Sequence, residues 1–250
     1  MRILILSDIH ANLEALDACL AAAPEYDAVY NLGDIVGYGA NPNETTQRSR
    51  ELGSVFVRGN HDKVCSGVST LEGFNPIAAL AVIWTQEQLT SEHLHFLHGM
   101  PRGPLTPIEN LEIVHGSPRD EDEYLLYPRD AFSILARTAA PLIFFGHTHV
   151  QGGYWIDDAR ENEGVIQPQY SGAGNGKVQL DLKREAKYLI NPGSVGQPRD
   201  GDPRAAFALY DTEQNSVTFY RVPYDIETAQ KKIFDAGLPE RLAIRLAEGR

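Results

Sequence analysis

Residues 142–149 read LIFFGHTH. Leu142–Phe145 has the length and residue types of a buried strand. Gly146 ends it, and His147 and His149 follow where the chain would leave the core. Two imidazoles at one strand exit are ambiguous, but the same arrangement recurs. Strand-like Arg2–Leu6 runs into Ser7-Asp8-Ile9-His10, and Ala28–Leu32 into Gly33-Asp34. Ser54–Val57 leads to Gly59-Asn60-His61-Asp62, and Leu111–Val114 to His115-Gly116. Of the eight histidines, five stand at these exits. His93, His95 and His98 share a polar helical stretch and are expected on the surface.

Between these strands lie helix-like runs. Asn12–Ala23 is Ala/Leu-rich with Asn12 as N-cap, and Pro42 to about Leu52 starts with proline in its first turn. Pro76–Leu89, Ser91–Leu97 (Ser91 as cap) and Arg129–Thr138 complete the set. Alternation of this kind predicts an α/β fold, with a substantial sheet covered by helices. After residue 150 short strands predominate: Gly152–Ile156, Lys177–Leu182, Tyr188–Ile190, Ala205–Tyr210 and Ser216–Arg221, with Glu213-Gln214-Asn215 as a hairpin turn. Asp157–Gly176 is the least regular stretch, read as a flap or an extended hairpin. Ile226 to Leu246 reads as helix broken at Gly237 and Pro239. No linker demands a boundary, so residues 1–250 are read as a single domain.

Composition narrows the function. A net charge of −12 without basic runs argues against stable nucleic-acid binding. The apolar start is too short for a signal peptide, and no segment approaches a membrane span. Two cysteines give neither a disulfide framework nor a CxxC motif, so a cytoplasmic protein is expected.

In α/β sheets ligands collect beyond the carboxyl ends of strands. Here those ends carry Asp8, His10, Asp34, Asn60, His115, His147 and His149, the nitrogen and oxygen donors of divalent transition metals. Seven donors exceed one four-coordinate site and suit two ions about 3.5–4 Å apart that share a carboxylate.

D8-x-H10, G33-D34, G59-N60-H61-D62, H115-G116 and G146-H147-T148-H149 resemble, in order and spacing, the calcineurin-like metallophosphoesterases. The likeness spans roughly residues 1–200 and includes NPGSVGQPRDGDPRAAFALYD. It implies a four-layer α/β/β/α sandwich. It further implies that Asp8, His10 and His149 bind one metal, that Asn60, His115 and His147 bind the other, and that Asp34 bridges. His61 would face the substrate, donating a proton to the leaving oxygen or stabilising transition-state charge, with Asp62 either orienting it or capping the loop. The two metals would lower the pKa of a bound water from 15.7 toward about 7 and so generate the attacking hydroxide. Their identity stays open among manganese, iron, zinc, nickel and cobalt.

Glycine-rich Gly33–Gly39 does not fit GxGxxG, and Ser171–Lys177 fails the P-loop pattern at both ends. The resembled protein serine/threonine phosphatases carry arginine in GDxVDRG. This chain has GDIVGYG, and Asp62 where they have glutamate. Both departures favour a small phosphodiester or nucleotide over a phosphoprotein. Arg58, Arg119 and Arg199 are candidate phosphate contacts, Arg119 foremost; Tyr38 and Asn43 are candidate pocket residues. Cys65 is read as packing. The leading expectation is a phosphodiesterase acting on a small phosphate ester. A nucleotide or diadenosine-polyphosphate hydrolase, a phosphomonoesterase, and a non-catalytic scaffold like the retromer subunit of this fold are the alternatives. A homo-oligomer is compatible with all of them.

Overall fold

Ile3, Leu4, Ile5 and Leu6 of β1 (Arg2–Leu6) are wholly buried on both faces, which places this strand in the middle of a sheet rather than at its rim. The protein is seen here in a computed structural model that describes residues 1–53 and 55–250. After β1 come α1 (Leu13–Ala22), β2 (Ala28–Asn31), α2 (Pro42–Glu51), β3 (Val55–Phe56) and α3 (Asn60–Cys65). Next are α4 (Pro76–Gln88), α5 (Ser91–His98), β4 (Leu105–Ile108), β5 (Leu111–Ile113), α6 (Pro128–Leu135) and β6 (Leu142–Phe144). Then follow β7 (Gly152–Asp157), β8 (Glu163–Ile166), β9 (Gly176–Asp181), β10 (Ala186–Asn191), β11 (Ala205–Asp211) and β12 (Ser216–Val222), and lastly α7 (Ile226–Asp235) and α8 (Glu240–Glu248).

The strands form two six-stranded mixed sheets, ordered β3-β2-β1-β11-β12-β9 and β4-β5-β6-β10-β7-β8. Ile3, Ile5, Tyr30, Val217 and Phe219 of the first meet Leu111, Ile113, Phe144, Tyr188 and Ile190 of the second, so the central core lies between the sheets. Ala15, Leu16 and Cys19 of α1 cover the outer face of the first against Leu4, Leu6 and Phe207. Ala131, Ile134 and Leu135 of α6 cover the second against Ile143, Phe145 and Leu189. Helix, sheet, sheet, helix is the four-layer α/β/β/α sandwich expected. Cys65 is buried among Ile35, Val36 and Val64, in packing as read. Among the described residues no helix is long and apolar enough to cross a membrane.

Several local readings change. The strand expected over 54–57 is β3, Val55–Phe56; Ser54 lies outside the described residues. The α5 cap is Thr90, whose hydroxyl accepts from His93 N, not Ser91. His93 is not a surface residue: it is buried, with Nδ1 facing Asn43 Oδ1 at 2.9 Å. Two elements escaped the pattern, α3 and β4. Residues 157–176 form no flap over the strand ends. They complete the β7–β8 hairpin and then cross toward β9, held by Tyr170 Oη donating to Gln151 Oε1 (2.6 Å) and Arg204 Nη1 donating to the Gly174 carbonyl (2.6 Å). The C-terminal helices are interrupted at Gly237 and Pro239 as expected.

Candidate metal centre

Both sheets aim their strand ends at one place. The loops after β1 and β2 and the first turn of α3 deliver Asp8, His10, Asp34 and Asn60; those after β5 and β6 deliver His115, His147 and His149. Asp8, His10, Asp34, His147 and His149 all adopt left-handed φ, between +48° and +65°. Each such residue costs on the order of 1 kcal/mol, and Asp and His tolerate the region better than most. Backbone hydrogen bonds hold them there: His10 N to the Asp34 carbonyl (2.9 Å), Asp8 N to Gly33 (3.0 Å) and Gly196 N to Asp8 (3.0 Å).

Asp8, His10, Asp34 and His149 each present a ligand atom within 4.8 Å of the others, and so do Asp34, His115 and His147. The imidazoles are already oriented. Nδ1 of His10, His115 and His149 faces the carbonyls of Val36 (3.1 Å), Leu32 (2.8 Å) and Gln197 (2.6 Å), and Nε2 of His147 faces that of Asp122 (3.1 Å). A carbonyl only accepts, so those nitrogens carry the hydrogens and the opposite nitrogens present lone pairs. These lone pairs face each other: His10 Nε2 and His149 Nε2 are 3.1 Å apart, as are His115 Nε2 and His147 Nδ1. Two buried lone pairs so placed repel unless a cation accepts both or, as on His115, a proton lies between them. Nitrogens 2.0–2.1 Å from one ion would stand about 3.0–3.4 Å apart. The residues fit two metal ions.

Asp34 Oδ2 lies 3.6 Å from His10 Nε2 and 3.4 Å from His115 Nε2, within reach of both clusters, while Oδ1 accepts from His61 N at 2.8 Å. Asp8 turns Oδ1 toward His149 Nε2 (3.3 Å) and accepts from Ser7 Oγ on Oδ2 (2.6 Å). Asn60 Oδ1 stands 3.3 Å from His115 Nε2. Burial alone would raise both aspartates, but His149 beside Asp8, and His115 and His61 beside Asp34, hold them below the carboxylate range. Burial lowers His10 and His149, and takes His147 to about 3, leaving the neutral imidazoles that bind metal. For His115 burial is outweighed by the Asp34 carboxylate, which lifts it to about 10. The field that draws a proton there draws a cation equally.

His61 lines a cleft of about 280 Å³ together with Tyr38, Asn60, Phe74, Tyr124 and His147. Its ring packs against Tyr38 (4.3 Å between centroids), His10 (4.9 Å) and Phe74 (5.0 Å), and its buried Nδ1 has no partner. Gly37, at φ +87°, leaves that room: a Cβ there would collide with the His61 ring. Burial pushes His61 down to about 4, so near neutral pH it is a neutral hydrogen-bond donor.

Asp62 is not positioned to orient that ring. Its carboxylate accepts from the backbone N–H groups of Asp34 (2.7 Å), Ile35 (2.9 Å), Val36 (3.3 Å) and Gly59 (3.0 Å). It therefore caps α3 and pins the loop that carries Asp34. Burial, helped by the Asp34 carboxylate, raises it to about 7 against the pull of those N–H groups. Asn43 lies away from the cleft: it donates to the Gln88 carbonyl (2.8 Å) and accepts from Thr90 N (2.9 Å), joining α2 to the α4–α5 turn. Arg119 is ion-paired to Glu123 (2.5 Å) with its side chain 46% exposed, and Arg58 is held by Glu121 (2.9 Å). Tyr38 does line the cleft. Tyr124, unremarked in the sequence because no motif surrounds it, stacks on His147 with centroids 3.6 Å apart.

A four-layer sandwich whose two sheets pool buried aspartates and histidines at their strand ends has the frame of a metal-dependent hydrolase. Residues 1–215 match the family model for the calcineurin-like phosphoesterase superfamily domain, and the chain belongs to that superfamily. It is similar along nearly its whole length to an uncharacterized protein of Methanocaldococcus jannaschii, MJ0912: 39% identical over 256 residues, covering 99% of this chain and 98% of that one. The crystal structure of a metallophosphoesterase from Sphaerobacter thermophilus is 42% identical, with TM-score 0.85, covering 100% of this chain and 99% of the other. The hypothetical protein PH1004 of Pyrococcus horikoshii OT3 shares the fold, with TM-score 0.78 at 21% identity and coverage of 100% and 98%. Membership supports a hydrolase acting on phosphoric esters, in agreement with buried Asp and His groups able to hold metal.

Proposed function

We propose that this chain is a dinuclear-metal phosphoesterase that hydrolyses small phosphodiesters. The observation that carries the reading is the pair of facing imidazole couples with Asp34 Oδ2 between them. Asp8, His10 and His149 would hold one ion and Asn60, His115 and His147 the other, with Asp34 within reach of both. Two divalent cations bound there would supply an activated water and positive charge for the phosphoryl oxygens. His61 stands on the cleft side and donates a hydrogen bond to the leaving oxygen. Asp62 acts at a distance, by fixing the loop that positions Asp34. The diester preference is supported by Gly37-Tyr38-Gly39 replacing the DRG of protein phosphatases, and by a cleft scaled to a small molecule. Aromatic Tyr38, Phe74 and Tyr124 along that cleft favour, as a second reading, a nucleotide or diadenosine-polyphosphate substrate handled by the same centre.

The test compares bis-(p-nitrophenyl) phosphate with p-nitrophenyl phosphate on manganese-loaded protein. Faster turnover of the diester, abolished by chelator, is the expected result. A monoester preference refutes the diester assignment. Turnover of neither compound by fully metal-loaded protein turns the search to polyphosphates and to a scaffold role.

A further inference from the structure

Near the metal centre, Lys63 and Arg58 are tied to Glu121, and Arg119 to Glu123. Arg199 is different. Its backbone N–H donates to the His149 carbonyl at 3.1 Å, and the preceding Gln197 carbonyl accepts from His149 Nδ1, so this loop clasps a candidate ligand imidazole from both sides. The guanidinium lies 5.8 Å from the centroid of the Tyr38 ring. Nη2 donates to Gln197 Oε1 at 3.1 Å, and the buried Nε has no partner. The adjacent carboxylate, Asp200, is taken by Arg221 and also accepts from Gln151 N. Helix α8 closes on the same corner: Leu246 packs with Tyr38 and shares a small pocket with His10 and Gln197, and Gly201 N donates to the Gly249 carbonyl at 2.9 Å. Arg245, just before Leu246, is thereby brought close to Arg199. Burial first, then the Arg199 charge, lowers the Arg245 guanidinium below its ordinary value. Arg245 Nε donates to the Arg250 oxygen, but among the described residues no side-chain carboxylate pairs with Arg199 or Arg245, and the corner favours an anion.

We propose that Arg199, with Arg245 beside it, forms the anion-binding corner of the active site and holds a phosphoryl oxygen of the substrate. This rests on the phosphoesterase reading and names the residue that takes over phosphate binding where GDIVGYG lacks the DRG arginine. The cation enters from the loop after β10 rather than the loop after β2, and Arg245 lies beyond the residues matched by the family model.

The experiment titrates inorganic phosphate into metal-loaded wild type, Arg199→Ala, Arg199→Lys, Arg199→Gln and Arg245→Ala by calorimetry, with metal content and melting temperature measured alongside. Loss of a charged hydrogen bond predicts phosphate binding about tenfold or more weaker in Arg199→Ala at unchanged metal content, and a smaller loss in Arg245→Ala. KM for the diester should rise in parallel, with kcat falling less. Equal phosphate affinity in wild type and Arg199→Ala overturns the proposal, and so does failure of wild type to bind phosphate. Phosphate binding that depends on Arg199 in a protein that hydrolyses no ester would refute the phosphoesterase reading and leave the anion corner standing. If Arg199→Ala melts early, the comparison passes to Lys against Gln: tighter binding by Lys supports the proposal, and equal binding overturns it.

Discussion

Replacing Asp62 by asparagine keeps its shape and removes one acceptor oxygen. Four backbone N–H groups now converge on the two carboxylate oxygens, two on each: Ile35 and Val36 on Oδ1, Asp34 and Gly59 on Oδ2. An asparagine amide accepts through its oxygen only, and its NH₂ group points further donors at the other pair. Two donors are then orphaned in a site where the side chain is fully buried. Each orphaned donor costs about 1–3 kcal/mol, so the sum is about 2–6 kcal/mol, with a middle value near 4. For a chain of this length 1 kcal/mol moves the melting temperature by about 2–4 °C, so metal-stripped Asp62→Asn should melt roughly 10 °C below metal-stripped wild type. Circular dichroism melts and urea titrations at pH 9, where an Asp62 raised to about 7 is ionised, measure this, and chelation removes any contribution from bound ions. Metal affinity should also fall, by about tenfold to a hundredfold, because the pinned loop carries Asp34. A melting temperature within about 2 °C of wild type would refute the claim that this carboxylate holds the loop.

His61→Ala should lower turnover about a hundredfold or more while leaving metal content at the wild-type level; loss of metal would make His61 a ligand and the assignment of roles wrong. Asp34→Ala should empty both metal positions together, read by elemental analysis per chain, and a clean loss of one ion would argue against a shared carboxylate. Chelation should abolish hydrolysis and lower stability by about 3 kcal/mol for each ion removed, relative to protein held at a hundredfold excess of metal over Kd. Because His115 is lifted to about 10 and must lose its proton to bind, metal affinity should rise with pH through the neutral range and weaken as pH falls, and affinity independent of pH would contradict the site.

The convergence of the candidate ligands was legible because each follows a strand whose apolar run is easy to read, and because Asp, His and Asn beside glycine are poor choices for ordinary packing. The layers were legible too, through the change from strand–helix alternation to hairpins near residue 150. Less legible were features set by tertiary context. Helix α3 is six residues long and begins within the ligand motif itself, so no period could build up. Asn43 and His93 are polar residues that satisfy each other across a helix junction, a contact 50 residues apart that composition cannot reveal. The arginines were hard to rank for a related reason: Arg119 lies near His115 in sequence, but Glu123 four residues later pairs with it. Whether an arginine is free depends on its neighbours in space.

The division of ligands between the sheets also sets when the centre can exist. His10 and His149 face each other across 139 residues of chain, and β1 finds its antiparallel partner only in β11, where Leu4 pairs with Leu209. A chain growing from the ribosome makes its amino-terminal half first, yet that half has only part of the donor set and lacks β11, one of the two strands beside β1. Asp8 and His10 must wait until almost the whole polypeptide has emerged. Metal capture by such a centre would thus be deferred to the last stage of synthesis, and a truncated product would carry no assembled centre with which to sequester ions.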